Sequence, residues 1–177
     1  KVADAPWDQA ALAEPLSCAI HGARLLNVRL GDTAVVFGAG TMGLMNLIVL
    51  KKSGLRVGIV DINEGRLEKA KSLGADLIFK TDKDIREKIK SAFLGGVDHA
   101  ITAYGSDEVN QDALDVLNNR GKICLFASAH PVTPFAIDPN LMHNKETSAV
   151  GVVSADRRDH AVATDMIATK QVDLSPL

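Results

Sequence analysis

The stretch Val35-Val36-Phe37-Gly38-Ala39-Gly40-Thr41-Met42-Gly43 decides the fold of this 177-residue chain. Its first part is apolar, and its second part has the spacing G-x-G-x-x-G. Alone that spacing is weak evidence, because glycines are common in turns. Here an apolar run, 33–37, leads into the glycines and an apolar run, 41–53, leads out of them. We therefore predict a buried strand, a tight turn and a helix whose N-terminus faces a phosphate group.

Each position of the motif has a chemical reason. Gly38 allows the tight turn, and Gly40 lets the backbone approach a pyrophosphate with no Cβ in the way. Gly43 lets the helix pack closely on the strand. Thr41 and Met42 begin the helix, where free N–H groups and partial positive charge favour phosphate oxygens. The motif therefore predicts a dinucleotide-binding turn.

An acidic residue follows at the distance that this turn requires. Asp61 stands 18 residues beyond Gly43, at the end of a second predicted strand, 56–61. A carboxylate there can accept both hydroxyls of the adenosine ribose and repels a 2′-phosphate, which favours NAD over NADP. The alternative is a cap for the helix that starts near Asn63. Arg66, one turn further on, would weaken the NAD preference or is a solvated charge on a helix face.

Short β-type runs alternate with helical segments along the rest of the chain. This alternation predicts a doubly wound, six-stranded parallel sheet with helices on both faces. The predicted strands are 33–37, 56–61, 77–79, 97–103, 122–127 and 147–153. Five predicted helices have both bounds: 6–13, 15–28, 41–53, 64–73 and 156–169. Two more are predicted from their caps. Thr81 begins one, with Ile85, Ile89 and Phe93 on its apolar face, and Ser106 begins the other. Glu14-Pro15 is expected to separate the first two helices, and 130–144 to be irregular with one helical turn.

Composition excludes several classes of function. The chain is 46% hydrophobic and 24% charged with a net charge of −2, so nothing favours nucleic acid or an anionic membrane as a partner. Residues 33–50 carry no charge, but three glycines in the first half argue against a transmembrane helix. No secretory signal pattern is visible, and Cys18 and Cys124 lie far apart, so we expect a reducing, cytoplasmic location.

The histidines show no metal-binding pattern. His21, His99, His130, His143 and His160 share no metal spacing. We predict that His99, within a strand, is a core residue.

Three stretches together resemble the zinc-type medium-chain alcohol dehydrogenase family. They are 14–22 (EPLSCAIHG), 36–43 (VFGAGTMG) and 60–63 (VDIN), and the EPL start is most similar to the sorbitol and threonine dehydrogenase branch. The resemblance covers essentially the whole chain. It implies a helical segment, 1–30, that leads into an NAD-binding Rossmann domain, 31–177. It also implies that the chain is a fragment, because the family's catalytic domain, which supplies a cysteine and a histidine–glutamate pair to zinc, is absent.

The resemblance assigns roles to individual residues. Glu14 matches a third or exchangeable zinc ligand, with a helix cap or a surface acid as the alternative. We expect no zinc in this chain alone, since one ligand cannot hold the metal. Cys18 and Met42 match positions beside the nicotinamide ring, and Cys18 also suits a small buried position. Asp61 and Arg66 match the adenosine-ribose pair.

Four further positions follow the strand ends. Tyr104 matches a contact to adenine, although it is larger than expected there. Phe126, Ser128 and Gly151 match positions whose backbone groups orient the carboxamide. The rule that ligands bind at the carboxyl ends of parallel strands supports all four.

The implied activity is NAD-dependent oxidation of a secondary alcohol, polyol or hydroxy amino acid. In the whole enzyme a zinc-bound alcohol loses its proton and hydride passes to C4 of the nicotinamide. This domain orients the cofactor and would not catalyse alone. One alternative is a metal-free, NADPH-linked quinone or enoyl reductase, against which Asp61 and Glu14-Pro15 argue. Another is a non-enzymatic NAD sensor.

We also expect a homo-oligomer. The last predicted strand, beginning at Thr147 and ending at Val153, would be an exposed sheet edge, and members of the family pair such edges across a two-fold axis.

Overall fold

The computed structural model describes residues 6–132 and 134–177, so the first five residues of the predicted N-terminal segment lie outside the described part. The strands are β1 (Thr33–Phe37), β2 (Arg56–Asp61), β3 (Leu77–Lys80), β4 (Val97–Thr102), β5 (Leu117–Leu125) and β6 (Ser148–Gly151). All pair in parallel, in the order β3-β2-β1-β4-β5-β6. This confirms the doubly wound six-stranded sheet.

Helices cover both faces of the sheet. They are α1 (Trp7–Ala11), α2 (Ala13–Leu26), α3 (Thr41–Lys52), α4 (Glu64–Ser72), α5 (Ile85–Ala92), α6 (Asp107–Asp115), α7 (Pro139–Lys145) and α8 (Arg157–Ala168). In β1, Ala34 and Val36 belong to one core cluster with residues of α2, α3, α4 and α8, while Val35 and Phe37 belong to a second with residues of α5 and α6. Since successive strand residues face opposite sides, a strand buried on both faces reads as one continuous apolar run.

The uncharged run 33–50 divides as predicted. It forms β1, the glycine turn and most of α3, whose residues from Gly43 to Leu50 are buried. Of the helices in the described part, none has the length and apolarity that a membrane crossing requires.

The break predicted at Glu14-Pro15 is wrong. Helix α2 already begins at Ala13, and the chain breaks one residue earlier, at Leu12 (φ −86°, ψ 2°). Proline is tolerated because it lies in the first turn of α2, where a backbone N–H would have no helical acceptor.

Thr81 does not cap a helix, whereas Ser106 does. Helix α5 begins only at Ile85, after a turn at 82–84, and the N–H of Thr81 donates to the carbonyl of Asp61 at 3.1 Å. The side chain of Ser106 accepts from the N–H of Val109 at 3.1 Å, so that prediction is confirmed.

The later elements differ from their predicted bounds. Strand β5 begins five residues early and contains an irregularity near Arg120, whose φ is +63°. Helix α7 falls where one helical turn was expected, and Thr133 lies outside the described residues. Strand β6 ends at Gly151 instead of Val153. The last backbone hydrogen bond to the neighbouring strand is donated by the N–H of Val152 to the carbonyl of Leu125.

Candidate cofactor-binding site

The glycine turn has the geometry that the motif predicts. Gly38 has φ +104°, which favours glycine, and its N–H donates to the carbonyl of Val60 at 2.7 Å. A Cβ on Gly43 would lie 1.9 Å from the carbonyl oxygen of Gly38, so no larger residue fits there. A Cβ on Gly40, in contrast, would meet nothing within 4 Å. The fold therefore needs the outer two glycines, and the middle one leaves space at the surface.

That space lies at the N-terminus of α3. The first helical hydrogen bond of α3 runs from the N–H of Leu44 to the carbonyl of Gly40 at 2.9 Å. The N–H groups of Thr41, Met42 and Gly43 consequently have no acceptor within the helix, and no side chain caps this end. Partial positive charge and free donors here favour an anion.

Asp61 is tied to the glycine turn by its own carboxylate. Its Oδ2 accepts from the N–H of Ala39 at 2.7 Å, and its Oδ1 accepts from the N–H of Asn63 at 2.8 Å. Asn63 itself caps α4, its side chain accepting from the N–H of Arg66, so the interpretation of Asp61 as the cap is wrong. A carboxylate offers about four acceptor positions, so each oxygen of Asp61 can still accept from a ligand.

Arg66 lies beside this carboxylate but does not form a close pair with it. Its Nη1 is 3.9 Å from Oδ2 of Asp61, and its side chain is 59% exposed, against 6% for Asp61.

A cavity of about 510 Å³, which we call the Asp61 cavity, opens beside the turn. It lies at the carboxyl ends of the central strands and brings together five of the predicted residues with several that the sequence did not single out. Its lining consists of Phe37, Gly38, Gly40, Val60, Asp61, Ile62, Arg66, Thr81, Ala103, Tyr104, Ser106, Glu108, Val109 and Asp112.

A second cavity, of about 310 Å³, lies on the α2 side and is called the Cys18 cavity. It brings together five predicted residues with four others. Its lining consists of Glu14, Pro15, Cys18, Met42, Phe126, Ser128, Val152, Val153 and Ser154. Since Gly40 lines the first cavity and Met42 the second, the N-terminus of α3 lies between them. Two cavities on either side of an anion-binding helix end suit a molecule with two bulky groups joined by phosphates.

Three predicted residues do not line either cavity. Thr41 is exposed at the start of α3, and Gly43 is buried against Gly38. Gly151 ends β6, and it is the next residue, Val152, that lines the Cys18 cavity. Several of the residues that the sequence did not single out lie at or just after strand ends, so the carboxyl-end rule, applied to every strand, is the signal that could have found those.

Glu14 and Cys18 contact each other one helical turn apart. The Sγ of Cys18 donates to Oε1 of Glu14 at 3.3 Å. Burial, and then the carboxylate of Glu14, raise the pKa of Cys18 to about 11, so it is a neutral thiol at neutral pH.

The described residues do not build a zinc site around Glu14. Within 6–132 and 134–177, the group of potential ligands close enough for a metal is His21, Asp156 and Asp159. Arg24 donates to both of these aspartates, so the group is an ion cluster and not a metal centre.

His99 is buried in β4, as predicted for a core residue. Its Nε2 lies 2.9 Å from Oδ2 of Asp32, at the opposite end of the sheet from both cavities.

The comparisons with known proteins agree with this geometry. A family model described as zinc-binding dehydrogenase matches residues 41–169. The chain is 29% identical to L-idonate 5-dehydrogenase of Vitis vinifera, covering 96% of this chain and 48% of that protein. It is 31% identical to (R,R)-butanediol dehydrogenase of Neisseria gonorrhoeae, covering 97% and 48%. The crystal structure of 2R,3R-butanediol dehydrogenase from Bacillus subtilis is 26% identical with a TM-score of 0.89, covering 99% of this chain and 50% of that one.

The chain thus spans about half the length of the relatives that it matches. Two further structures, each 23% identical, share the fold. One, from Sinorhizobium meliloti, is bound to NADP (TM-score 0.90, covering 94% of this chain and 50% of that one). The other, an alcohol dehydrogenase from E. coli CFT073, is complexed with NADH (TM-score 0.87, covering 96% and 50%).

Proposed function

This chain belongs to the zinc-binding dehydrogenase family, and from that premise we propose that it is the NAD(H)-binding half of a zinc-dependent dehydrogenase. The whole enzyme oxidises a secondary alcohol, a polyol or a hydroxy amino acid by hydride transfer, a range that includes the butanediol and the sorbitol named in its relatives. The observation that carries the proposal is the uncapped N-terminus of α3 between the Asp61 and Cys18 cavities.

The cofactor would extend across both cavities. Its adenine and adenosine ribose occupy the Asp61 cavity, with Tyr104 at the adenine and Asp61 accepting from the ribose hydroxyls. Its pyrophosphate lies on the open space at Gly40 and accepts from the N–H groups of Thr41 and Met42.

The nicotinamide ring would occupy the Cys18 cavity, beside Cys18 and Met42. Backbone groups of Phe126, Ser128 and Val152, the last in place of the neighbouring Gly151, would orient its carboxamide. The thiol of Cys18 is uncharged at neutral pH, so it would contact the ring as a neutral group.

The proposed preference for NAD over NADP depends on Asp61. Its carboxylate is nearly buried beside the turn, where it would oppose a 2′-phosphate. Arg66 is more than half exposed and 3.9 Å away, so it neutralises this charge only weakly.

The chain's own share of the reaction is to bind and orient the cofactor. Because the described residues offer no complete zinc site, we assign no chemical step to Glu14 beyond one ligand position in the whole enzyme. The chain alone is therefore expected to bind NADH without oxidising an alcohol.

Gly40→Ala tests the proposed pyrophosphate position. The backbone at residue 40 (φ −72°, ψ −179°) is open to alanine, but the new Cβ would occupy the space proposed for the pyrophosphate. We expect calorimetry to show NADH binding weakened about tenfold, equivalent to about 1.4 kcal/mol. Gly65→Ala, in α4 and outside both cavities, is the control and should bind NADH as the unmodified chain does. Equal affinity of the Gly40 variant would contradict the proposed position.

We also propose that the chain forms a homo-oligomer through β6. Among the strands of the described residues, β6 pairs with β5 alone, and Ser148, Ala149 and Gly151 are exposed along it. Sedimentation velocity should show a fraction of dimer that increases with protein concentration. The variant Ala149→Lys, which places a charge on the strand edge, should sediment as a monomer. A monomer at all concentrations would contradict this proposal.

A further inference from the structure

Four ionisable side chains form an ion cluster between α2 and α8, outside both cavities. Arg24 donates from Nε to Oδ1 of Asp159 and from Nη2 to Oδ2, each at 2.9 Å. The Nδ1 of His21 lies 2.6 Å from the same Oδ2, and Arg24 also pairs with Asp156. Asp159 is 1% exposed. Both oxygens of a buried carboxylate are thus bonded to groups from another helix, an arrangement that is costly to break on one side.

The Asp159 carboxylate at the centre of the cluster is charged at neutral pH. The hydrogen bond from Arg24 is the main reason that the pKa of Asp159 lies well below its usual range, with His21 adding to the effect and burial opposing it. The ion pair between Arg24 and Asp159 therefore links α2 to α8 at neutral pH.

The cluster lies directly behind one wall of the Cys18 cavity. Glu14, Cys18 and His21 are spaced i, i+4 and i+7 along α2, so they share one face of the helix. The first two line the cavity and the third belongs to the cluster. Any rotation of α2 that broke the cluster would therefore also move Cys18.

A second wall of the cavity is attached to the same cluster. Its residues 152–154 run into Asp156, whose N–H donates to Oδ2 of Asp159 at 3.3 Å and whose side chain caps α8. Ser154 has φ +57°, a conformation that residues other than glycine, asparagine and aspartate seldom adopt. Such a loop needs support from its surroundings, and Asp156 anchors its end.

The geometry points to His21, Arg24, Asp156 and Asp159 as positioning residues that set the separation of the two walls of the Cys18 cavity and so shape the site of the nicotinamide ring. This inference rests on the proposed function of that cavity. It assigns a role in cofactor binding to four residues that do not touch the cofactor.

The test compares NADH with ADP-ribose, which lacks the nicotinamide ring but fills the Asp61 cavity and the N-terminus of α3. Calorimetry on Arg24→Met should show NADH binding weakened roughly five- to tenfold, at about 1.4 kcal/mol for each tenfold step, and ADP-ribose binding unchanged. Arg24→Lys keeps a charge but cannot bridge both aspartates, so it should show a smaller loss of the same kind, and it replaces the first variant if that one does not fold.

Asp76→Asn is the matched control. Asp76 accepts from Lys51 Nζ and from the N–H of Val57, both at 2.7 Å, at the far end of the sheet. It should lower the melting temperature without changing the ratio of NADH to ADP-ribose affinity.

The affinities of the Arg24 variants for NADH and for ADP-ribose decide whether the cluster has this positioning role. A loss confined to NADH supports the positioning role. If the Arg24 variants bind both ligands equally more weakly, or bind both as the unmodified chain does, the positioning role is overturned. An unmodified chain that binds neither ligand contradicts the proposed function, and this inference with it.

Discussion

Replacing Gly43 with alanine is expected to destabilise the domain strongly. The new Cβ would lie 1.9 Å from the carbonyl oxygen of Gly38, a backbone atom in a turn that Val60 and Asp61 hold in place. Overpacking costs about 1–3 kcal/mol, and alanine recovers about 1 kcal/mol in helix propensity. Because backbone has to move here, we place the cost at the upper end and expect a net loss of about 2 kcal/mol.

Thermal unfolding measures this loss. For a domain of this size, about 2 kcal/mol lowers the melting temperature by about 4–8 °C. Gly40→Ala is the control, since the same substitution three residues earlier meets nothing within 4 Å. It should leave the melting temperature within about 1 °C while weakening NADH binding. Equal melting temperatures for the two variants would show that the turn is not as tight as described.

Replacing Asp61 with alanine is expected to have the largest effect on binding. Hydrogen bonds to charged groups contribute about 1.5–3 kcal/mol, so losing the ribose contacts should weaken NADH binding roughly 10- to 100-fold. The N–H of Ala39 also loses its acceptor, which disturbs the turn for either cofactor. NADPH, relieved of repulsion from the carboxylate, should lose much less affinity or gain some. The ratio of the two affinities therefore isolates the role of the carboxylate.

Asp98→Ala provides the comparison for this experiment. Oδ2 of Asp98 accepts from the N–H of Thr33 at 2.8 Å and from its Oγ1 at 2.7 Å, at the amino end of the sheet. The variant loses a similar pair of hydrogen bonds far from both cavities. If it changed the ratio of NADH to NADPH affinity as much as Asp61→Ala does, the assignment of cofactor preference to Asp61 would be wrong.

The central part of the fold could be predicted from the sequence because local rules determine it. A strand buried on both faces is a continuous apolar run, and Gly38 and Gly43 are required by contacts within the same strand–turn–helix unit. The bounds of β1 and β2 are therefore as predicted, and so is the position of Asp61 beside the turn.

The features that the sequence did not predict depend on contacts between distant parts of the chain. His21 and Asp159 are 138 residues apart, and no spacing rule links them. Strand β6 is shorter than predicted, and Val152 lines the cavity where Gly151 was expected. Both differences lie next to the loop that the hydrogen bond between Asp156 and Asp159 anchors. The bulge near Arg120 reflects the pairing register of β4 and β5, which periodicity along one strand does not specify.

A titration of the unmodified chain with NADH and with NADPH, followed by fluorescence and calorimetry, tests the proposed NAD(H) site most directly. We predict saturable NADH binding, with NADPH bound at least about tenfold more weakly, because juxtaposed like charges cost several kcal/mol. Tighter binding of NADPH would contradict it, would favour an NADPH-linked reductase and would make Arg66 the residue to explain. Binding of neither cofactor would contradict the proposed role of the glycine turn in this chain.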